Sequence, residues 1–476
     1  MGRGADLTQL PAAGLSARLE RGEATSVALM EAVLDRIGAV NGAVNAVVSL
    51  RPRDALMAEA AAADATPRKG WLHGIPVAVK DLVAAKGIRT TWGSPLFGDF
   101  VPVADDLVAR RLRASGAILI GKTNTPEWGL GSHSFNPVFG VTRNPYDLGR
   151  SAGGSSGGAA AALAARMVPV ADGSDMMGSL RNPAAFCNVY GYRPTWGLVP
   201  QDADGDTFLA TLSTEGPMGR CPEDVARLLE VLAGETPEVP FPRPNLPFHQ
   251  WLDAPVAGAR IGWLGDWGGA YPMETGILDL CRRAMAVFEA AGCSVEDVPP
   301  PCPAEPLWRS WTTLRAMLNA GGKAALYADP AKRAQLKPEA VWEIEQGIGL
   351  TAQAVYEASV IRSDWYQRLA RLFETYDALV LPSAQVWPFP VGWRHPTEIN
   401  GKPLDTYHRW MEVAIPVSLA GAPALACPAG FGAGGLPMGF QLFGRPGNDI
   451  GVLRLGQAYH HATDWPGARP PVIATG

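Results

Sequence analysis

Apolar residues recur at helical spacing through Val27, Met30, Val33, Leu34 and Ile37, behind a hydroxyl residue, Ser26, suited to cap a first turn. The first sixty residues read largely as helices. The pattern then changes: Gly74–Leu82, GIPVAVKDL, is a short apolar, β-branched run that predicts a buried strand. Leu107–Ser115 returns to helical spacing and is closed by Gly116, and Ala117–Gly121, AILIG, predicts another strand. Helical patterns reappear over Ala340–Gln346 and Val355–Phe373. Strands alternating with helices predict an α/β fold, a sheet with helices on both faces.

Val413–Gly444 carries no charged residue and is long enough to suggest a membrane span on hydropathy alone. Pro416, Pro423, Pro428 and Pro437 would break a spanning helix, so buried strands and turns are expected there. Proline-rich segments at Pro237–Pro247 and Pro299–Pro306 punctuate the middle of the chain, and ten of its fifteen tryptophans lie between Trp251 and Trp410. These features predict one α/β domain over 1–476. Its expected parts are N-terminal helices over about 1–62, a core over about 65–240, an α-rich, Trp-bearing insertion over about 245–375, and core strands and a helix over about 376–465.

With 47% hydrophobic and only 18% charged residues among 476, the chain can fill a large interior and is not disordered. A net charge of −5 argues against nucleic acid or an anionic membrane surface as partner. The amino terminus, MGRGADLTQLPAAG, lacks the apolar run of a secretory signal. Six cysteines form no CxxC pair and no Cys/His zinc spacing. The expectation is a cytoplasmic protein with reduced core thiols, no metal and no cofactor.

The candidate chemistry lies between Gly153 and Pro183. Ser155 and Ser179 occupy two glycine-rich turns separated by an apolar, helix-like segment. Glycine-rich turns expose backbone N–H groups, and a serine among them suits acyl transfer. A phosphate-binding loop would need a Lys-Ser/Thr pair after Gly158, where alanines follow. A GxGxxG dinucleotide fingerprint has neither its spacing nor its strand. Gly153–Gly157 formally matches the GxSxG nucleophile elbow, but the residues before it, RNPYDLGRSA, read as loop rather than strand. A nucleophilic serine needs a base. None of the seven histidines is near either turn in sequence, although His408 and His460 are not excluded by that. Lys80 ends an apolar run, where desolvation would lower its pKa and let it accept a proton; the other reading is a lysine that snorkels into water.

Several spaced blocks resemble the amidase signature family. GIPVAVKD around Lys80 is similar to its lysine motif and GKTNTPE (Gly121–Glu127) to its next block, with Asn136, Gly140 and Asn144-Pro145 following in order. GGSSGG and GSDMMGSLRNPA resemble the signature itself. STEGPMGR (Ser213–Arg220) and the blocks within Leu419–Pro446 resemble the later motifs. The resemblance implies a central mixed β-sheet covered on both faces by α-helices. It also implies a triad in which Ser179 is the nucleophile, Ser155 the bridging serine at a cis peptide, and Lys80 the base. By the same resemblance the backbone N–H groups of Met176, Met177, Gly178 and Ser179 form the oxyanion hole. Asp175 and Arg181 would support that turn, and Trp128 and Gly129 would lie beside the substrate pocket.

Two positions depart from the family pattern. Met177 stands where glycine is usual, which predicts a narrowed acyl wall and a costly backbone if φ is positive there; Asn182 is a second departure without an evident role. The activity implied is acyl-serine hydrolysis of the C–N bond of a small, largely apolar or aryl amide, or of a carbamate or ester, by a monomer or homodimer. A few tryptophans of the middle region would touch the substrate. The rival expectation is an amidotransferase subunit that works within a complex on aminoacyl-tRNA.

Overall fold

The computed structural model describes residues 7–202 and 205–473, so the first six residues of the amino-terminal stretch lie outside it. Eleven strands form one mixed sheet: β1 (Val47–Val48), β2 (Pro76–Lys80), β3 (Ile118–Thr123), β4 (Ala171–Asp175), β5 (Tyr190–Arg193), β6 (Thr214–Gly219), β7 (Arg260–Trp263), β8 (Ser294–Asp297), β9 (Ala378–Pro382), β10 (Ala424–Phe431) and β11 (Pro437–Phe443). Their order across the sheet is β1-β3-β2-β4-β6-β5-β10-β11-β9-β7-β8. β2 runs parallel to β3 and β4, whereas β6 is antiparallel to β4 with Glu215 opposite Ser174. Helices flank both faces, and every residue of β2, β3 and β4 is buried, as expected of strands covered twice.

The elements follow the hydrophobic pattern with instructive differences. Helix α1 (Ser26–Val44) is capped by Thr25, whose hydroxyl accepts from Ala28 N at 3.0 Å, so Ser26 is the first helical residue rather than the cap. Helix α2 spans Leu107–Ala114, and α3 (Gly157–Ala164) is the apolar segment between the two serine turns. The region 245–375 is not purely helical, because β7 and β8 extend the central sheet; both are four residues long, too short to show a period. The rest of that region is dominated by α4 (Ala304–Ala328), α5 (Pro338–Ile348) and α6 (Ala352–Leu372). The uncharged stretch 413–444 folds into a short helix, Ile415–Ala420, followed by β10 and β11. Among the described residues no helix is long and apolar enough to cross a membrane.

The RNPYDLGRSA segment is a small hairpin, Arg143–Asn144 paired with Asp147–Ser151, not the loop its composition suggests. It stands apart from the central sheet and is exposed at alternate positions. No strand of the main sheet therefore leads into the glycine turn, as a nucleophile elbow requires.

Candidate active site

Lys80 is the last residue of β2 and is fully buried, so its ammonium cannot reach water. Its backbone N–H donates to Asp172 Oδ1 on β4 at 3.0 Å. Its side chain crosses to the glycine-rich turn, where Nζ lies 2.8 Å from Ser155 Oγ, 2.9 Å from Ser156 Oγ and 2.9 Å from Ser174 Oγ. Burial pushes Lys80 down to about 8, against the opposing pull of Glu215, Asp172 and Asp175. Glu215 is itself raised by burial. It faces Ser174 across the strand pair and so shares the sheet face on which Ser174 meets Lys80.

The first turn is built by close backbone approach. Gly153 has φ +75°, and a Cβ there would lie 2.5 Å from Asn182 Oδ1 and 2.9 Å from Pro183 Cα. The Gly154–Ser155 peptide is cis. Asn182 acquires a role here: its Oδ1 accepts from Gly154 N at 3.4 Å, tying the helix Arg181–Phe186 to the turn that carries Ser155. Ser156 N donates to Ser179 O at 3.2 Å, which fastens the two serine turns to each other.

The second turn leaves the end of β4. Asp175 accepts from Gly178 N at 2.9 Å, Leu180 N at 3.1 Å, and Arg181 Nε and Nη2 at 2.9 and 2.8 Å. Arg193 adds a contact at 3.3 Å, and all three side chains are fully buried. Burial works to raise Asp175, but Arg181, Arg193 and the Leu180 N–H together outweigh it and hold the carboxyl well below its usual range. Arg181 also donates to Ala414 O, Gln441 Oε1 and Ser418 Oγ, linking the turn to the C-terminal core. Asp175 and Arg181 are thus a buried network beneath the turn, not a surface pair.

The geometry changes two expectations about the turn. The Gly178 N–H is committed to Asp175, whereas those of Met177 and Ser179 donate to no described residue. Met177 has no positive φ; that conformation falls on Gly178, at +83°. A methionine at 177 therefore costs the backbone nothing. Its side chain is 3% exposed and lines the cavity, so the effect of this departure is on shape.

Ser155 and Ser179 open onto one cavity of about 170 Å³, walled by Leu82, Trp128, Gly129, Met176, Met177 and Met411 among others. Gly129, at φ +68°, approaches closely: a Cβ there would be 3.0 Å from Leu82 Cδ1 and 3.5 Å from Ser155 Oγ. A larger cavity of about 710 Å³ adjoins it, sharing Leu82, Trp128 and Lys323. Its aromatic wall is Trp92, Phe97, Trp128 and Trp196. None of the tryptophans between 251 and 410 lines either cavity; Trp267, Trp311, Trp365 and Trp410 are fully buried in the core instead. Trp251 and Trp393 are half-exposed, and the aromatic pocket comes from elsewhere in the chain.

His408 is buried against Tyr407 and Glu343, and burial pushes it down to about 3. His460 pairs with Tyr190, and neither histidine lines either cavity. Ser156, Ser174, Glu215 and Arg315 were not singled out by the sequence. The first lies beside Ser155 and could have been flagged, but the other three reach the site only through strand register and helix docking.

A family model described as Amidase matches residues 28–453. A glutamyl-tRNA(Gln) amidotransferase subunit from Chloroflexus aggregans is 34% identical, covering 98% of this chain and 99% of its own length. An acylamidase of Rhodococcus erythropolis is 32% identical over 93% of each. Among solved structures, a bacterial aryl acylamidase of the amidase signature enzymes superposes with a TM-score of 0.89 at 28% identity, covering 97% of this chain and 99% of that one.

Proposed function

Because this chain belongs to the amidase signature family, we propose that it hydrolyses aryl amides through an acyl-serine formed on Ser179. It is a hydrolase of carbon–nitrogen amide bonds; the substrate and the residue roles are our reading. The observation that carries the roles is the 2.8 Å contact between a desolvated Lys80 amine and Ser155, in the cavity that also exposes Ser179. Neutral Lys80 takes the Ser155 proton while Ser155 takes that of Ser179, and Ser179 Oγ bonds to the carbonyl carbon. The N–H groups of Met177 and Ser179, with Met176 beside them, receive the developing oxyanion. Asp175 and Arg181 fix the turn that aims them. Collapse breaks the C–N bond, and the proton returns through Ser155 to the leaving amine. Water then attacks the acyl-serine and releases the acid. The aromatic wall of the larger cavity suits an aryl amine leaving group.

The resemblance to amidotransferase subunits supports a second reading, in which the same chemistry serves a complex. Purified chain is assayed on a 4-nitroanilide without ATP or any partner, alongside glutamine. Steady anilide turnover supports the proposal. Inertness toward anilides, carbamates and primary amides, with activity only when partner subunits are added, overturns it.

A further inference from the structure

Helix α4 presents Arg315, Asn319 and Lys323 to the nucleophile's cavity at successive four-residue steps, so all three lie on one helix face. Arg315 and Asn319 are 4% and 6% exposed. Glu343 on α5 clamps the guanidinium from behind, at 2.6 Å from Arg315 Nε. Tyr407 OH accepts from Nη2 at 3.1 Å and donates to Glu343 at 2.6 Å. Asn319 Nδ2 holds the other Glu343 oxygen at 3.0 Å. Burial works against the Arg315 charge, yet Glu343 and Tyr407 hold it firmly protonated. The one remaining contact is telling: Nη1 donates to Met176 Sδ at 3.3 Å, a weak acceptor three residues before Ser179. A buried, locked guanidinium thus turns a poorly used donor toward the reacting centre. Lys323 extends the face, 3.1 Å from Asn319 Oδ1 and 5.9 Å from the centre of the Trp128 ring.

The two cavities also differ in charge. The smaller one is lined by Arg315 and Lys323 and, among the described residues, by no carboxylate; Lys323 also borders the larger one, where Asp106, Asp202, Asp206 and Glu215 join it. An anionic group is therefore better matched by the first than by the second. Arginine in a desolvated site favours planar oxygen anions, which it holds through paired N–H donors.

We propose that the Arg315–Asn319–Lys323 face is a subsite for a carboxylate on the acyl portion of the substrate, making this a hydrolase of amides whose acyl chain ends in an acid. The inference rests on Ser179 acting as nucleophile. It replaces a uniformly apolar acyl wall with one that is apolar along Met176, Met177 and Met411 and cationic at its end.

The test compares succinyl-4-nitroanilide with the uncharged butyryl-4-nitroanilide. The expected kcat/KM ratio is at least about tenfold in favour of the succinyl substrate, falling to about one in K323M and R315M. K323M is the safer variant, since R315M leaves Glu343 buried without its ion-pair partner. Protection of Ser179 from a sulfonyl fluoride reads the subsite without turnover: succinamate should protect at lower concentration than butyramide, and K323M should erase the difference. Equal ratios for the two acyl groups in the wild-type chain, a ratio that K323M leaves intact, or a preference for carboxylate only on the amine side each overturn the proposal. If neither anilide turns over and succinamate still protects selectively, the aryl amide reading fails while the subsite stands.

Discussion

The protonation of Lys80 should govern the rate below pH 8, and Glu215 should set where that limb lies. Lys80 is fully buried and pushed down to about 8, from an ordinary value of 10.5. It can accept the Ser155 proton only as a neutral amine. Well below its pKa the neutral fraction falls about tenfold for each unit of pH. kcat/KM should therefore climb close to tenfold per pH unit between 6 and 7 and level off by about pH 9. Among the charges around Lys80, the strongest pull toward the ammonium comes from Glu215, followed by Asp172 and Asp175. Lys122 on β3, on the other side of β2, also acts on Asp172. The sign for Glu215→Gln follows: removing a carboxylate beside the lysine destabilises the ammonium, so the limb moves to lower pH and activity at pH 6 rises relative to the plateau. Stopped assays on one anilide at saturating and at limiting concentrations, from pH 5.5 to 9.5, give both profiles. A wild-type profile flat across pH 6–8 would refute the role of a desolvated lysine as base. A Glu215→Gln limb displaced to higher pH would refute the electrostatic part of the reasoning.

Other substitutions probe the scaffold. Asp175→Asn removes the charge that balances Arg181 and Arg193 in a fully buried network, so unfolding free energy should drop by about 3–5 kcal/mol in a urea titration. A loss under about 1 kcal/mol would mean that the network is better hydrated than its burial indicates. Gly158→Ala drives a Cβ into the backbone N of Asn124 and to 2.5 Å from its backbone O. It should cost about 1–3 kcal/mol by the same titration, and a neutral result would show that α3 can move away from β3 freely. Met177→Gly enlarges the cavity without freeing any backbone strain. The ratio of hexanoyl to acetyl anilide hydrolysis should rise; an unchanged ratio removes Met177 from the acyl wall.

Much of the site was legible because its chemistry is local. The strand ending in Lys80 and the two serine turns are each carried by a few contiguous residues, and glycine positions announce close backbone approach. Less could be read where the cause is tertiary. Thr25 and Ser26 are both competent caps by residue type, with serine preferred, yet it is the Thr25 hydroxyl that accepts from Ala28 N. The strands at Arg260–Trp263 and Ser294–Asp297 are too short to show a period, so an extension of the central sheet was hidden inside a helical region. Tryptophan content pointed to an aromatic pocket in the middle of the chain, but the four large buried indoles there fill the core, while Trp92, Trp128 and Trp196 supply the pocket. Asn182 had no reading until the glycine turn was seen to donate to it. The availability of an N–H to an oxyanion is likewise invisible in sequence: Gly178 spends its donor on Asp175, and nothing in GSDMMGS says so.

The central claim is that Ser179 forms the covalent bond and Ser155 passes its proton to Lys80. The most direct measurement is to quench the chain in acid during turnover of a slow 4-nitroanilide and map the acyl adduct by peptide mass spectrometry. The expected result is an adduct on the peptide containing Ser179, absent in Ser179→Ala and accumulating far more slowly in Lys80→Met. An adduct on Ser155, or full acylation of Ser179 in Lys80→Met at neutral pH, would contradict it.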